Sequence, residues 1–292
     1  MMKIRFNDRK RCQSVMIVLL FLLVSIYVLP AQEKNVHWQR TTETAHYLQL
    51  FHSIQAFNLP TTETLQKGDM QFEMAHRFTM PVSSDWSGAY GLDGSVIMNI
   101  GLTYALTDKL MLILTRSNLE GNVEIRSKYK VLEFNNTYLP TVAALQAGLA
   151  YNGKPVGIVK NTGDKFQYFG LAIFNTMYKK KIAIGVVPSY LYNSYIYCKD
   201  KQYSFTVGEY AQYYVSPLWS LLLEVNSTVT GWRNRYNSFA CGIEVETGGH
   251  FFKILIGTNT HPNYSQYLAG APDSFNSKYW HLGFNLTRLF KI

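Results

Sequence analysis

The chain has 292 residues, and its 28 lysine and arginine residues exceed its 19 acidic residues, for a formal net charge of +9. Nearly half of that excess lies in the first 31 residues, and elsewhere no basic run is longer than residues 179–181. This distribution argues against a nucleic-acid partner, which would need a basic patch. Three widely spaced cysteines and the lack of nucleotide-loop, His-Glu-x-x-His or Cys-x-x-Cys motifs indicate no disulfide scaffold, metal site or other cofactor.

Residues 1–31 have the composition of a Sec signal peptide. Five basic residues precede the apolar residues 15–29, and Pro30 and Ala31 offer a cleavage site before Gln32. An uncleaved membrane anchor is the alternative. Downstream, no apolar stretch approaches the roughly 18 residues of a membrane-spanning helix, so any span must be a β-strand.

Residues 32–68 do not follow a strand pattern. Within them, residues 43–56 could form a short amphipathic helix or an extended stretch, and Leu59 and Pro60 mark a break. We expect an N-terminal segment that is periplasmic or associated with the lumen of a barrel.

From residue 69 onward, apolar and polar residues alternate with the period of a β-strand. Residues 70–78 and 96–106 each place large apolar side chains on one face, and residues 122–132 carry four charges on a single face. A face with four charges cannot line a dry core. Further strands are predicted near residues 141–151, 166–177, 182–193, 203–215, 218–227, 238–247, 250–258 and 279–290. With 110–116, that makes about twelve strands, each near the 9–11 residues that cross a bilayer at a tilt.

The predicted connections alternate between short turns and longer polar loops. This layout is typical of an all-β, antiparallel up-and-down transmembrane β-barrel of residues 69–292 in the bacterial outer membrane, with both chain ends on the periplasmic side. The 21 tyrosine, 17 phenylalanine and 5 tryptophan residues gather near strand ends, as aromatic girdles do. Aromatic packing in a soluble β core is the alternative.

Three local patterns predict strand register. Gly248 and Gly249 suit a type I′ hairpin that places Glu244 opposite Lys253 on the inner face, as an ion pair. Pro188 predicts a bulge, because it lacks the donor for a strand ladder. A two-residue loop at Ser216 and Pro217 would place Glu209 against Glu224, although Pro217 cannot adopt the positive φ of that turn.

The charged and polar residues assigned to the lumen have mixed sign. A barrel of this size has a narrow interior, so these side chains either satisfy one another and plug it or line a small polar channel or binding cleft. The predicted lumen residues are Glu73, Arg77, Glu124, Arg126, Lys128, Lys130, Glu209, Glu224, Glu244, Lys253 and His281.

Three hypotheses for function remain open. The first is a narrow channel or small-solute binding barrel. The second is a structural or interaction barrel whose outer loops, above all residues 259–278 with Tyr264, Tyr267 and Pro272, contact another envelope component. The third is a lipid hydrolase using His281 with Asn285, although no serine aligns with them and no Gly-x-Ser-x-Gly motif occurs. The expected partners are outer-membrane lipid and either a small polar solute or an envelope protein.

Several blocks resemble an uncharacterised family of bacterial outer-membrane β-barrel proteins. They lie at residues 63–68 (ETLQKG), 76–78 (HRF), 91–94 (GLDG), 104–110 (YALTDKL), 128–129 (KY), 188–190 (PSY) with Asn193, 244–250 (EVETGGH) and 283–288 (GFNLTR). The resemblance runs from about residue 60 to the end and implies a barrel in the outer membrane. The family has no assigned reaction, so it implies no catalytic residues and no enzymatic activity.

Overall fold

A computed structural model describes residues 48–159 and 161–291. The predicted signal peptide and residues 32–47 of the predicted N-terminal segment lie outside these ranges. Within these ranges, no helix has both the length and the apolar character needed to span a membrane.

The described residues form a closed barrel of twelve antiparallel strands, in which each strand pairs with the next along the chain and β1 pairs with β12. The prediction of an up-and-down barrel of about twelve strands is therefore confirmed. The strands are β1 (Met70–Pro81), β2 (Val96–Ala105), β3 (Leu110–Ser117), β4 (Asn122–Phe134), β5 (Thr141–Asn152), β6 (Phe166–Tyr178), β7 (Ile182–Tyr192), β8 (Tyr203–Tyr214), β9 (Trp219–Gly231), β10 (Ser238–Glu246), β11 (His250–Gly257) and β12 (His281–Phe290). One short helix, α1 (Tyr264–Tyr267), and 3-10 turns at Val82–Gly91, Leu119–Gly121, Thr162–Lys165 and Ser277–Tyr279 lie in the connections.

Side-chain alternation gives the barrel an apolar outer belt and a polar interior. On β2, Leu102 and Tyr104 are exposed on the outer surface, while Asn99 and Thr103 are buried inside. This is the reverse of a water-soluble sandwich and suits a barrel that contacts acyl chains.

The connections at the two ends of the barrel differ in average length. Residues 106–109, 135–140, 179–181, 215–218 and 247–249 form short turns at the end where β1 begins and β12 finishes. We call this the inner end. The connections at the outer end are longer on average, and the β11–β12 connection, residues 258–280, is the longest. The outer β3–β4 connection of four residues is nevertheless shorter than the inner β4–β5 connection of six.

The hairpin between β10 and β11 has the predicted register. Gly248 and Gly249 have φ angles of 60° and 94°, and Glu244 pairs with Lys253. Thr247 N donates to His250 O at 2.9 Å, which closes the two-residue turn.

We expect Gly249→Ala to lower the free energy of unfolding by about 1–2 kcal/mol, because an L-residue is strained at positive φ. A Cβ at this position would have no atom within 4 Å, so the variant tests backbone strain without a steric clash. Gly163→Ala is the matched control, since its Cβ also meets nothing and its φ is not positive. Denaturant unfolding of both variants measures the difference. Equal midpoints would contradict the turn assignment.

The bulge predicted at Pro188 is absent, and the two-residue loop at Ser216 and Pro217 does not form, in keeping with the objection raised for Pro217. At Pro188 the β6–β7 register continues unshifted, from Leu171 opposite Ser189 to Phe174 opposite Val186. The missing donor leaves a gap in pairing and needs no bulge. The β8–β9 connection spans residues 215–218, which makes it a four-residue turn.

The barrel is filled by two segments of its own chain. We call residues 48–68 the inner plug and residues 258–271 the outer plug. Leu50, Phe51 and Phe57 of the inner plug join one apolar cluster with the inward side chains of β5–β7 and with Tyr264, Tyr267 and Leu268 of the outer plug. The apolar core of the molecule therefore lies inside the barrel.

Candidate functional site

The lumen has two unlike walls. The inward residues of β1–β3 are mainly polar and include Gln71, Glu73, Asn99, Thr103 and Thr115, all buried. On the opposite side, β5–β7 present Val142, Ala144, Phe169, Leu171, Ile173, Val187 and Leu191. An occupant of this lumen must therefore be polar on one side and apolar on the other.

The inner plug satisfies both walls by folding as a hairpin. An isolated bridge pairs Gln55 with Pro60, and Ala56 N donates to Leu59 O at 2.8 Å. Its side chains pack on the apolar wall, while its backbone groups face the charges. Residues 48–68 therefore lie inside the barrel in an extended, non-helical form.

Glu224 on β9 holds the tip of the inner plug. Its carboxylate accepts hydrogen bonds from Phe57 N at 3.0 Å, Asn58 N at 3.0 Å and Leu59 N at 3.0 Å. It also accepts from Tyr267 OH of the outer plug at 2.9 Å. Three consecutive amides converge on one carboxylate, so Glu224 is where the two plugs meet.

Arg77 on β1 binds the other side of the same tip. Its Nη2 donates to Asn58 Oδ1 at 2.8 Å, and its Nη1 donates to Asn285 Oδ1 at 2.7 Å. Asn285 Nδ2 in turn donates to Phe57 O at 2.7 Å. The guanidinium is thus hydrogen-bonded in a buried site through neutral partners.

Two lysines bind the carbonyl groups of the inner plug. Lys128 Nζ donates to Ile54 O at 2.9 Å and Thr61 O at 2.8 Å. Lys253 Nζ donates to Gln55 O and to Ala56 O, and it forms the predicted ion pair with Glu244 at 3.1 Å. The plug backbone therefore supplies much of the solvation that these ions lose on burial.

The outer plug is held by β4. Glu124 accepts from Ser265 N at 2.8 Å and Ser265 Oγ at 2.7 Å, and the Arg126 guanidinium lies 4.1 Å from the centre of the Tyr264 ring. These contacts bury Tyr264 and Tyr267. The expectation that this part of the β11–β12 loop is an exposed contact surface is therefore wrong, because both rings fill the lumen.

The structure places ten of the eleven predicted lumen residues inside the barrel, with Glu209 as the exception. Lys130 pairs with Glu133 at 3.2 Å, and Glu73 lies opposite Gly101 on the polar wall. His281 sits at the outer end, where its Nε2 contacts Asp273 Oδ2 at 3.1 Å.

Glu209 is a correction, since it is exposed on the outer surface and pairs with Val225. Its neighbours Gly208 and Tyr210 face inward, because Leu59 of the inner plug packs at Gly208 and Tyr210 OH donates to Pro60 O at 2.8 Å. Tyr210, and not Glu209, pairs with Glu224. Glu209 therefore lies on the outward face of β8 together with the apolar Phe205 and Val207.

Sequence reasoning missed the neutral Asn175 and Gln212 on the barrel wall and the carboxylate of Glu63 within the plug. Asn175 Oδ1 accepts from Thr62 N at 2.6 Å, and Gln212 Nε2 donates to Glu244 at 2.6 Å. Within the plug, Glu63 accepts from Leu50 N at 2.8 Å. Single inward amides on a strand give no signal unless the occupant of the lumen is known.

The hypothesis of a hydrolase finds no constellation in the described residues. No serine hydroxyl there hydrogen-bonds to His281, whose Nδ1 is buried without a hydrogen-bond partner. Asn285 is engaged by Arg77 and Phe57. The contact between a side-chain nucleophile and its base, on which a serine hydrolase depends, is not formed among the described residues.

Acid is expected to loosen the outer plug through His261, whose pKa burial lowers from 6.5 to about 4. When the loop is released, the His261 imidazole has its ordinary pKa of 6.5 and binds a proton at mildly acidic pH, whereas in the folded loop it stays neutral down to about pH 4. The folded loop is therefore fully stable above pH 6.5 and loses stability as the pH falls from 6.5 towards 4. Hydrogen exchange of residues 258–271, corrected for the intrinsic effect of pH, measures it at about pH 7 and pH 5. His261→Asn should abolish the difference, and an unchanged wild-type protection would contradict the prediction.

Several solved barrels are similar to this chain. An outer membrane channel from Pseudomonas putida F1 has 13% identity and a TM-score of 0.49, covering 78% of this chain and 98% of that one. The NanC porin has 8% identity and a TM-score of 0.46, covering 76% and 100%. LpxR from Salmonella typhimurium has 7% identity and a TM-score of 0.33, covering 77% and 100%. These similarities are too distant to assign a function.

No curated protein matches the chain in sequence. A family model does match, and it is described as a membrane bound beta barrel domain (DUF5777). The match covers residues 51–290 and so includes nearly all of the inner plug as well as the strands. Together with the closed barrel and its apolar belt, it confirms the predicted place in the bacterial outer membrane. The chain therefore belongs to this family of membrane-bound β-barrel domains of unknown function.

Proposed function

We propose that this outer-membrane barrel is a narrow channel for small polar solutes, which its inner and outer plugs close in the conformation described here. The inner plug is the gate. When it leaves, Glu224, Arg77, Lys128 and Lys253 exchange its backbone groups for water and line an aqueous passage. The plug is suited to this exchange because these four wall charges contact it through hydrogen bonds, which water can replace.

The observation that supports the proposal most directly is the polar strip on β1–β3. Gln71 Nε2, Asn99 Oδ1 and Thr115 Oγ1 are buried, and none has a hydrogen-bond partner among the described residues. Buried polar atoms without protein partners need water. A hydrated strip between the plug and the wall favours a passage that solute can follow, whereas a permanently filled barrel would be better served by apolar side chains there.

A disulfide between the inner plug and β8 tests the gate. A Cβ at Gly208 would lie 3.3 Å from Leu59 Cγ, so cysteines at both positions are near enough to bond. The variant Leu59→Cys with Gly208→Cys is made in a background where Cys198 and Cys241 are replaced by serine. We expect single-channel openings in the reduced protein and their loss on oxidation.

The single variant Leu59→Cys in the same background is the control, because oxidation leaves it with no partner for the bond. Liposome swelling with small sugars and amino acids reports passage independently of current. Absence of conductance and swelling in the reduced wild-type protein would sink the proposal. Equal conductance before and after oxidation of the double variant would exclude the inner plug as the gate.

The alternative of an interaction barrel is favoured by one observation. In the β5–β6 connection, Val156 and Ile158 are 85% and 88% exposed, and Tyr197 OH accepts a hydrogen bond from Val156 N at 3.0 Å. Exposed apolar side chains on an ordered loop are a common contact for a protein partner. Site-specific photo-crosslinking in whole cells from position 156, but not from exposed Trp86, would support this function over the channel.

A further inference from the structure

A cleft of about 180 Å³ opens at the outer end of the barrel. The β3–β4, β7–β8 and β9–β10 connections form it together with the outer plug. None of its lining residues belongs to the inner plug, so the cleft does not depend on whether the inner plug acts as a gate.

Three aromatic side chains form one side of the cleft. The Tyr195 and Trp232 rings stack with centroids 4.8 Å apart at 18°, and Tyr197 meets Tyr195 edge-on at 5.6 Å. Tyr195 is 39% exposed. A partly exposed aromatic surface on an outer loop is typical of a place where a ligand or partner packs.

Polar groups converge on the same cleft. Glu120 accepts hydrogen bonds from Tyr197 OH and from Gln266 Nε2, the latter at 3.3 Å. Burial and this carboxylate raise the pKa of Tyr197 to about 12, so its hydroxyl remains a donor. Gln266 Oε1 and Ser194 Oγ are left without hydrogen-bond partners, and both side chains are more than nine-tenths buried.

The composition of the lining limits what can bind. No lysine or arginine lines the cleft in the described part of the chain, which disfavours an anion. Both Glu120 oxygens are already hydrogen-bonded, which weakens the case for a cation. What is left over is a neutral amide oxygen, a hydroxyl and an aromatic surface, which together match a ligand with hydroxyl groups and an apolar face.

We propose that this cleft is a saccharide-binding site that takes one pyranose ring. The ring packs its C–H face on Tyr195. Its hydroxyl groups bond to Gln266 Oε1 and Ser194 Oγ after these side chains, whose oxygens are covered in the unliganded cleft, rotate toward the sugar. The cleft volume suits a single sugar ring, either as a free sugar or as the end of a longer glycan. Both sources share this chemistry, and a series of chain lengths separates them.

Saturation-transfer NMR and calorimetry on the detergent-solubilised full-length barrel test the site. The probes are glucose, galactose, mannose and N-acetylglucosamine. Each is compared with a disaccharide of the same sugar, and choline serves as a cationic probe. We expect saturable binding of at least one sugar near the millimolar range, which corresponds to about −4 kcal/mol. Tighter binding of the disaccharide would identify a glycan end.

Tyr195→Ala should weaken sugar binding by about tenfold, the loss of one good packing contact, while Tyr195→Phe keeps the ring and should retain it. Ser194→Ala should weaken it by a smaller factor. Trp86→Ala removes an exposed aromatic residue from another outer loop and should have no effect. Saturable sugar binding by a barrel that shows no conductance would support the saccharide-binding site and contradict the channel proposal. Binding of choline in place of sugars, no saturable binding of any sugar, or equal loss in the Trp86 control would overturn the inference.

Discussion

Replacing Glu224 by glutamine is expected to release the inner plug while the barrel stays folded. The three amides of Phe57, Asn58 and Leu59 would lose the carboxylate that accepts them, and the glutamine NH₂ group would face other donors. Breaking one partner of a buried charged network costs about 3–5 kcal/mol. The released population should therefore rise by about a hundredfold or more.

Glu209→Gln is the matched control for this experiment. Glu209 sits one position before the partner of Glu224, but its side chain is on the outer surface and does not contact the plug. Protease cleavage within residues 48–68 of the folded, detergent-solubilised barrel measures release, and the channel proposal adds a rise in open probability. Similar cleavage in both variants would show that Glu224 does not hold the plug.

Lys253→Met is expected to lower the free energy of unfolding by about 3–5 kcal/mol, because it leaves the Glu244 carboxylate buried without its cation. It also leaves the Gln55 and Ala56 carbonyls without their donor. Lys109→Met, in the short β2–β3 turn, is the control for removing a lysine and should change stability by less than about 0.5 kcal/mol.

The double variant Glu244→Gln with Lys253→Met separates these two effects. Removing both charges should recover part of the loss, because no ion remains unpaired, while the plug carbonyls still lack a donor. Heat-dependent mobility on gels and denaturant unfolding compare the wild type, Glu244→Gln, Lys253→Met and the double variant. Strictly additive losses would mean that Glu244 and Lys253 do not interact.

The two experiments act on neighbouring parts of one hairpin. Glu224 binds the amides at its tip, and Lys253 binds the carbonyl groups of Gln55 and Ala56 just before the tip. Glu244, the partner of Lys253, also lies 3.3 Å from His52 Nδ1 nearer the inner end. If the plug leaves as one unit, each variant should raise cleavage along the whole of residues 48–68. Cleavage confined to one end would indicate local fraying.

Strand number, strand bounds and the β10–β11 register could be predicted because a lipid-facing strand must alternate apolar and polar residues across a fixed thickness. The same constraint placed Glu73, Arg77, Glu124 and Lys128 on the inner face. It failed for β8, where the charge of Glu209 suggested the lumen although Phe205 and Val207 on the same face are apolar. There Gly208 and Tyr210 face inward because the plug packs against them.

The sequence by itself determined a chain that folds as a closed barrel with a mixed-charge interior, because those properties follow from local alternation, turn chemistry and composition. Only the tertiary structure decided what fills that interior. Residues 48–68 bind the barrel wall largely through backbone amide and carbonyl groups. Because nearly every residue has these groups, no side-chain pattern predicts this segment. For the same reason the partners of Glu224, Lys128 and Lys253 could be found only once the plug and the wall were seen together.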